Sequence, residues 1–388
     1  MSNLERYRSV ARADVYKQGV VAGHLTRGDD ATTTFSYREE YSGPDVAFSL
    51  PRDPEPVVTP AGSLPPFFTG LLPEGRRLSI LRQAVKTSFD DELSLLLPIG
   101  NDLPGDVQVV PAGEQPHSKP PLASRELEEL DFWELLSEVD SQGIAGVQEK
   151  VSASMINVPL ALPGAPAILK LSPNDYPFLV ENEFLHLQAA KQLGLPVAES
   201  KLVADRNGIT GLLVTRFDRG AGGERYAMED AAQVMGIAPA AKYNVSAEDV
   251  TLTMASKTAM PRVATRALYL QFVFAWLTGN GDLHAKNISI LQRRDGAWDL
   301  SPIYDVPSTA LYRDFSMALP VSGRTKDLKL RHWDEFADSI GLPKKAARSA
   351  NVVALKAVAA VDLTRLPLTG SPIYGAEREL SLRRAALG

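Results

Sequence analysis

Between residues 282 and 287 the chain reads DLHAKN. A carboxylate (Asp282), an imidazole (His284), an ammonium group (Lys286) and a carboxamide (Asn287) fall within one short stretch. An apolar run precedes it, ALYLQFVFAW, and an alternating apolar segment follows. Polar groups between segments that look buried cost free energy unless something pairs with them. A second carboxylate, Asp305, follows in PIYDVPS. Phosphoryl transfer from a nucleotide needs this inventory. One carboxylate accepts the hydroxyl proton, a second carboxylate and a carboxamide hold Mg2+, and a lysine neutralises charge near the γ-phosphate. The spacing D-x-x-x-x-N is that of a protein-kinase catalytic loop, and Asp305 stands where the later metal-binding aspartate stands. Here His284 follows the aspartate by two instead of preceding it. The competing reading is a polar turn between a helix and a strand, with Asp282 as a cap.

The upstream half of the chain supplies matching groups. Lys170 lies on an apolar strand, AILKLS, and Glu183 begins the next helix, ENEFLHL. Taken singly, Lys170 reads as a strand lysine with a snorkelling head, and Glu183 as a first-turn glutamate favoured by the helix dipole. In this order they read as the ion pair that orients a lysine on the α- and β-phosphates. GIAGVQEK is the candidate phosphate loop, with Ala145, Gly146, Val147, Gln148 and Lys150 under the phosphates. Its glycines permit backbone N–H groups to approach an anion, although it matches neither Walker A nor G-x-G-x-x-G. LLVTRFDR reads as the hinge strand, placing Arg216 and Phe217 beside adenine; an ordinary buried hairpin strand is the alternative.

Composition narrows the classes. The chain has no cysteine, which excludes disulfides and thiolate chemistry. The histidines are His24, His117, His186, His284 and His332, with no pair at metal-ligand spacing. A net charge of −6 gives no global basic field for nucleic acid. The N-terminal residues lack the apolar core of a secretory signal. The longest apolar run, residues 267–277, is too short to span a bilayer. These features predict a cytoplasmic protein with no membrane partner.

The elements that must position these residues follow from pattern. Residues 13–50 read as strands, with a Gln18-Gly19 turn. RLSILRQAV reads as a helix, and DELSLLLPIGNDLPGDVQVVP as a helix, a glycine loop and a strand ending at Pro111. Residues 112–124, rich in Pro and Ser, are the linker candidate, and RELEELDFWELLSEV after it reads as a helix. LVENEFLHLQAAKQLG has helical spacing and stops at Gly194. A hairpin through Asn207-Gly208 follows. Beyond residue 227 the chain reads as mostly helical up to the loop that holds Asp282, and again after about residue 330. The expected division is 1–111, a β-rich unit; 112–124, a linker; 125–226, a nucleotide lobe with phosphate loop and hinge; and 227–388, a helical lobe with the catalytic loop.

In PPFFTGLLPEG, LLLPIGNDLPGDVQVVP, IAGVQEK, ILKLS, NEFLHLQAAKQLGLPVAE, RFDR and GNGDLHAKNISIL…YDV, in this order, the chain resembles the HipA family of kinase toxins from bacterial toxin–antitoxin modules. The resemblance covers nearly its whole length. It implies an α+β fold: a protein-kinase-like bilobal core, with a β-rich nucleotide lobe and a helical C-terminal lobe, behind an N-terminal β-rich subdomain. It implies an ATP-dependent serine/threonine kinase with Asp282 as base, Asn287 and Asp305 as Mg2+ ligands and Lys170 as the ATP lysine. The family's targets imply an aminoacyl-tRNA synthetase as protein substrate, the glutamyl enzyme first, with arrest of translation and persistence as the outcome. The implied partner is a HipB-like helix-turn-helix antitoxin, with DNA reached only through it.

Three positions depart from the family pattern. Gly143 stands where a serine is often autophosphorylated, Thr215 replaces the glutamate of E-R-F-D-R, and MED at 228–230 replaces Q-E-D. Two other classes fit part of the sequence. A small-molecule phosphotransferase of aminoglycoside- or choline-kinase type shares the loop but lacks the N-terminal 110 residues and IAGVQEK. A catalytically idle corepressor would not require Asp282, Asn287 and Asp305.

Overall fold

The computed structural model describes residues 4–117, 129–132, 155–160, 166–368 and 370–387. The first sheet is antiparallel throughout and holds β1 (Arg12–Lys17), β2 (Val20–Arg27), β3 (Thr33–Tyr37), β4 (Val57–Thr59) and β5 (Val107–Pro111) in the order β4-β3-β2-β1-β5. Gln18 and Gly19 both take positive φ, +52° and +77°, the geometry of the two-residue turns whose twist suits a hairpin. Ala13, Val15, Leu25 and Phe35 form the buried face, packed on Phe67, Phe68 and Leu93. Phe35 and Phe68 meet at 5.4 Å between ring centroids. The predicted RLSILRQAV helix spans Gly75–Val85, and the predicted strand ends at Pro111.

The second sheet runs β6-β7-β9-β8, from β6 (Ile156–Leu160), β7 (Ala167–Leu171), β8 (Ser200–Ala204) and β9 (Thr210–Thr215). Lys170 and Leu212 are cross-strand partners, so the lysine sits in the middle of the sheet. The helix Leu179–Ala190 packs on β8 and β9, and the turn after it stops at Gly194 with φ +69°. The third sheet holds β10 (Met228–Asp230), β11 (Ser289–Gln292) and β12 (Trp298–Leu300); of these only β10 lies in a stretch read as helical, and β11 is the alternating apolar segment after the loop. Strands of three residues carry no usable period, so β4, β10 and β12 left no pattern to read.

The helical lobe is built round Pro261–Thr278, whose residues Phe272 to Thr278 are all buried. A helix apolar on every side belongs in a core. Burying each large side chain there stabilises the fold by about 1.5–3 kcal/mol. Proline at its first position suits the start. Its end is a Schellman motif: Gly279 takes φ +68° and donates to Trp276 O, while Asn280 donates to Ala275 O. That motif turns the chain straight into the 280–287 loop. The helices Ala247–Ser256 and Lys344–Val358 flank it.

Contacts at several points tie the first sheet's unit to the rest. Arg216 and Arg219 both pair with Asp102 and Asp218, and Arg225 donates to the Leu103 and Gly105 carbonyls. Glu229 accepts from the Phe48 N–H.

Candidate active site

Three elements converge on Lys170. Its Nζ lies 2.7 and 2.9 Å from the two Glu183 oxygens and 3.2 Å from Asp305 Oδ1. β7 supplies the lysine, the following helix the glutamate, and the loop after β12 the aspartate. Burial disfavours the lysine's charge, but Asp305 and Glu183 outweigh it and raise its pKa. Two carboxylates here face one ammonium. The backbone holds Asp305 in place: Ile303 bridges Val197 in parallel register, and Asp305 itself takes φ +56°. That conformation costs a non-glycine residue about 1–3 kcal/mol and concentrates at functional sites.

The 280–287 loop is fixed by its own hydrogen bonds. Asn280 Oδ1 accepts from the Asp282 N–H at 2.9 Å, and Thr309 Oγ1 accepts from the Gly281 N–H at 2.9 Å. A Cβ on Gly281 would lie 2.5 Å from that Thr309 oxygen, so only glycine fits. Asn287 Nδ2 donates to the Asp282 carbonyl at 2.9 Å, closing the loop into a ring that presents Asp282 and Asn287 together. His284 Nδ1 accepts from the Lys286 N–H at 3.2 Å, which leaves its proton on Nε2, 3.8 Å from Asp282 Oδ2. Burial, with Lys242 and Lys286 nearby, pushes the imidazole down to about 3. His284 is therefore neutral, and its bond to the backbone shapes the loop.

Several residues at this point left no motif in the sequence. The Tyr243 hydroxyl donates to Asp282 Oδ1 at 3.1 Å, and its ring stands edge-on to His284. Lys286 Nζ donates to the Gly70 carbonyl at 2.7 Å and lies 3.4 Å from Glu74, which also pairs with Lys242. Gly70 and Glu74 belong to PPFFTGLLPEG, whose unusual Pro/Gly punctuation was the one available signal. Tyr304 donates to the Lys286 carbonyl and shares a hydrogen bond with Ser289.

The hinge residues divide. Phe217 packs against Tyr304 at 5.6 Å, beside the Asp305 loop. The Arg216 guanidinium is given to Asp102, Asp218 and the Leu103 carbonyl, at the seam with the first sheet's unit. Ala145, Gly146, Val147, Gln148 and Lys150 lie outside the described residues, as do Gly143 and most of the predicted linker and the helix after it.

Among the described residues no cluster of three or more His, Asp or Glu forms a metal site on protein ligands alone. Mg2+ typically takes one or two carboxylates and completes its shell with water and substrate phosphates. Asp305 and Asn287 fit that pattern. The Asn287 amide is spent on the Asp282 carbonyl, so its Oδ1 is left as an acceptor. Two carboxylates face the single Lys170 ammonium, a donor set that a bound cation would fit. No described helix is long and apolar enough to cross a membrane.

Comparisons with known proteins give one family. Residues 13–110 match the HipA N-terminal domain and residues 142–361 the HipA-like C-terminal domain. A candidate kinase of Sinorhizobium fredii is 32% identical over 376 residues, covering 88% of this chain and 87% of its own. The serine/threonine-protein kinase toxin HipA of Shewanella oneidensis is 27% identical over 313 residues, covering 72% of this chain and 71% of its own. Among solved structures, Shewanella oneidensis HipA in complex with HipB and operator DNA superposes with a TM-score of 0.76 at 23% identity. That match covers 97% of this chain and 96% of that one, and it shows the shared fold.

Proposed function

The chain belongs to the HipA family of kinases, and from that premise we propose that it transfers the ATP γ-phosphate to a serine or threonine hydroxyl of a protein. The observation that carries this reading is Lys170 Nζ reaching both Glu183 and Asp305, which joins groups 13 and 135 residues away at one point. A polar turn would need no such convergence.

In the proposed reaction Lys170, oriented by Glu183, binds the α- and β-phosphates. Asn287 and Asp305 would hold Mg2+, which would offset charge on the phosphates. Asp282 orients the acceptor hydroxyl and takes its proton. The hydroxyl oxygen bonds to the γ-phosphorus, the bond from that phosphorus to the bridging oxygen breaks, and ADP leaves. Tyr243 and the Asn280 side chain hold the Asp282 segment still. Phosphoryl transfer leaves little covalent work to a protein, so positioning and charge supply most of the rate.

The family suggests an aminoacyl-tRNA synthetase as substrate, the glutamyl enzyme first, with translation arrest and persistence as the outcome in the cytoplasm. The HipB in the Shewanella complex suggests a helix-turn-helix antitoxin as partner, through which DNA would be reached. The test is purified protein with Mg2+, γ-labelled ATP and a panel of tRNA-bound synthetases, with Asp282→Asn as control. Label on one synthetase, absent in the control, supports the reading and names the target. Label on small hydroxylated molecules only would replace it with a small-molecule phosphotransferase, and ATP binding without transfer with a silent corepressor.

A further inference from the structure

Glu74 reaches the catalytic loop from outside the kinase lobes. One of its oxygens lies 3.4 Å from Lys286 Nζ, and the other accepts from Lys242. Lys242 stands over the Tyr243 ring at 5.1 Å, and Tyr243 donates to Asp282. A single carboxylate thus serves two largely buried lysines beside the candidate base. Burial resists its charge, yet Lys286 and Lys242 outweigh that and hold the Glu74 carboxyl down at about 2. It is anionic at any working pH. A lysine is a point charge on a flexible stem and keeps one position only if a fixed partner holds it.

The partner here is fixed. Phe67 O accepts from Gln233 Nε2 at 3.0 Å, and Gln233 is itself locked by a reciprocal capping pair with Asp230. Gly70 packs so closely on Gln233 that a Cβ would lie 2.8 Å from its Cγ. The same segment then offers the Gly70 carbonyl to Lys286. Backbone carbonyl and carboxylate come from one anchored turn and grip one ammonium.

We propose that Glu74 is a positioning residue of the phosphoryl-transfer site: with the Gly70 carbonyl it sets Lys286 beside Asp282, so the N-terminal unit completes the kinase's catalytic loop. This rests on the kinase reading above. It gives the N-terminal unit a part in the chemistry as well as in the fold.

The test uses the full chain as wild type, Glu74→Gln, Glu74→Asp, Lys286→Met and the Glu74→Gln/Lys286→Met double variant. Acetylation with acetic anhydride, read by mass spectrometry, needs no turnover. In Glu74→Gln, Lys286 and Lys242 should be acetylated severalfold faster relative to the exposed Lys345, and Glu74→Asp should restore part of the protection. In the kinase assay, Glu74→Gln should lower kcat by about a hundredfold while the KM for ATP stays within about threefold. The double variant should be no slower than Lys286→Met alone. Unchanged acetylation, a loss confined to KM, or multiplying losses in the double variant would overturn the proposal while leaving the kinase reading intact. A wild-type chain that transfers no phosphate would overturn both.

Discussion

Lys170→Met keeps the aliphatic stem and deletes one charge from a cluster with two carboxylates. The Glu183 side chain is 1% exposed and that of Lys170 9%, so neither is well screened by water. In the native pairing Lys170 Nζ lies within 3.2 Å of both Glu183 and Asp305. Removing one partner of a buried pair costs about 3–5 kcal/mol, because the other charge stays buried without compensation. Glu183→Gln in the same chain removes that stranded charge, so the double variant should recover about 1–3 kcal/mol relative to the sum of the singles. Burial, with the Asp305 carboxylate nearby, already pushes Glu183 up in the presence of Lys170. Without the lysine its protonated form is favoured further. The folded variant then keeps, at higher pH than wild type does, a proton that the unfolded state has released, so the defect should be larger at pH 8 than at pH 5. Urea unfolding followed by tryptophan fluorescence, for the single and double variants at pH 5 and pH 8, measures both effects. A Lys170→Met variant within about 0.5 kcal/mol of wild type, or losses that simply add, would refute this account of the cluster.

Tyr243→Phe removes a donor from Asp282 and should lower kcat about tenfold, the worth of one hydrogen bond to a charged group, with the thermal midpoint little changed. Unaltered kcat would remove Tyr243 from the site. Glu229, 3% exposed, is pushed up to about 7, chiefly by burial. Its contribution is therefore present below the ordinary carboxylate range and lost as pH rises toward 7. Glu229→Gln should gain on wild type by up to about 3 kcal/mol between pH 4.5 and 8, read as the difference of two denaturation series. A difference independent of pH would contradict burial as the cause.

The residues that sequence could place belong to local patterns. Lys170 sits in an apolar strand, Glu183 at the start of a helix, and Asp282, Asn287 and Asp305 follow a spacing tied to one chemistry. Strand β5, the Gly75–Val85 helix, the stop at Gly194 and the Asn207-Gly208 hairpin followed from periodicity and turn chemistry in the same way. What could not be read was long-range pairing without a motif. Glu74 meets Lys242 168 residues away, and Tyr243 meets Asp282 39 residues away. Nothing in the composition of either segment selects its partner. Two side chains read from their neighbourhood also have partners that the sequence did not show. Lys286, expected near the transferring phosphate, donates to Gly70 and lies against Glu74, and Arg216, expected beside adenine, braces Asp102 and Asp218. In both cases the backbone position was legible, but Gly70, Glu74 and Asp102 come from the N-terminal unit and left no local sign; only Asp218, two residues from Arg216, lies nearby in sequence.

In the proposed reaction Asp282 accepts the acceptor hydroxyl's proton while Lys170, Asn287 and Asp305 serve the nucleotide. The most direct measurement compares wild type and Asp282→Asn for ATP affinity by calorimetry and for γ-phosphate transfer with Mg2+. Affinity should be unchanged and turnover reduced by about 10²–10⁴-fold, the usual worth of a general base. Wild-type turnover in Asp282→Asn, at equal affinity, would contradict that role for Asp282.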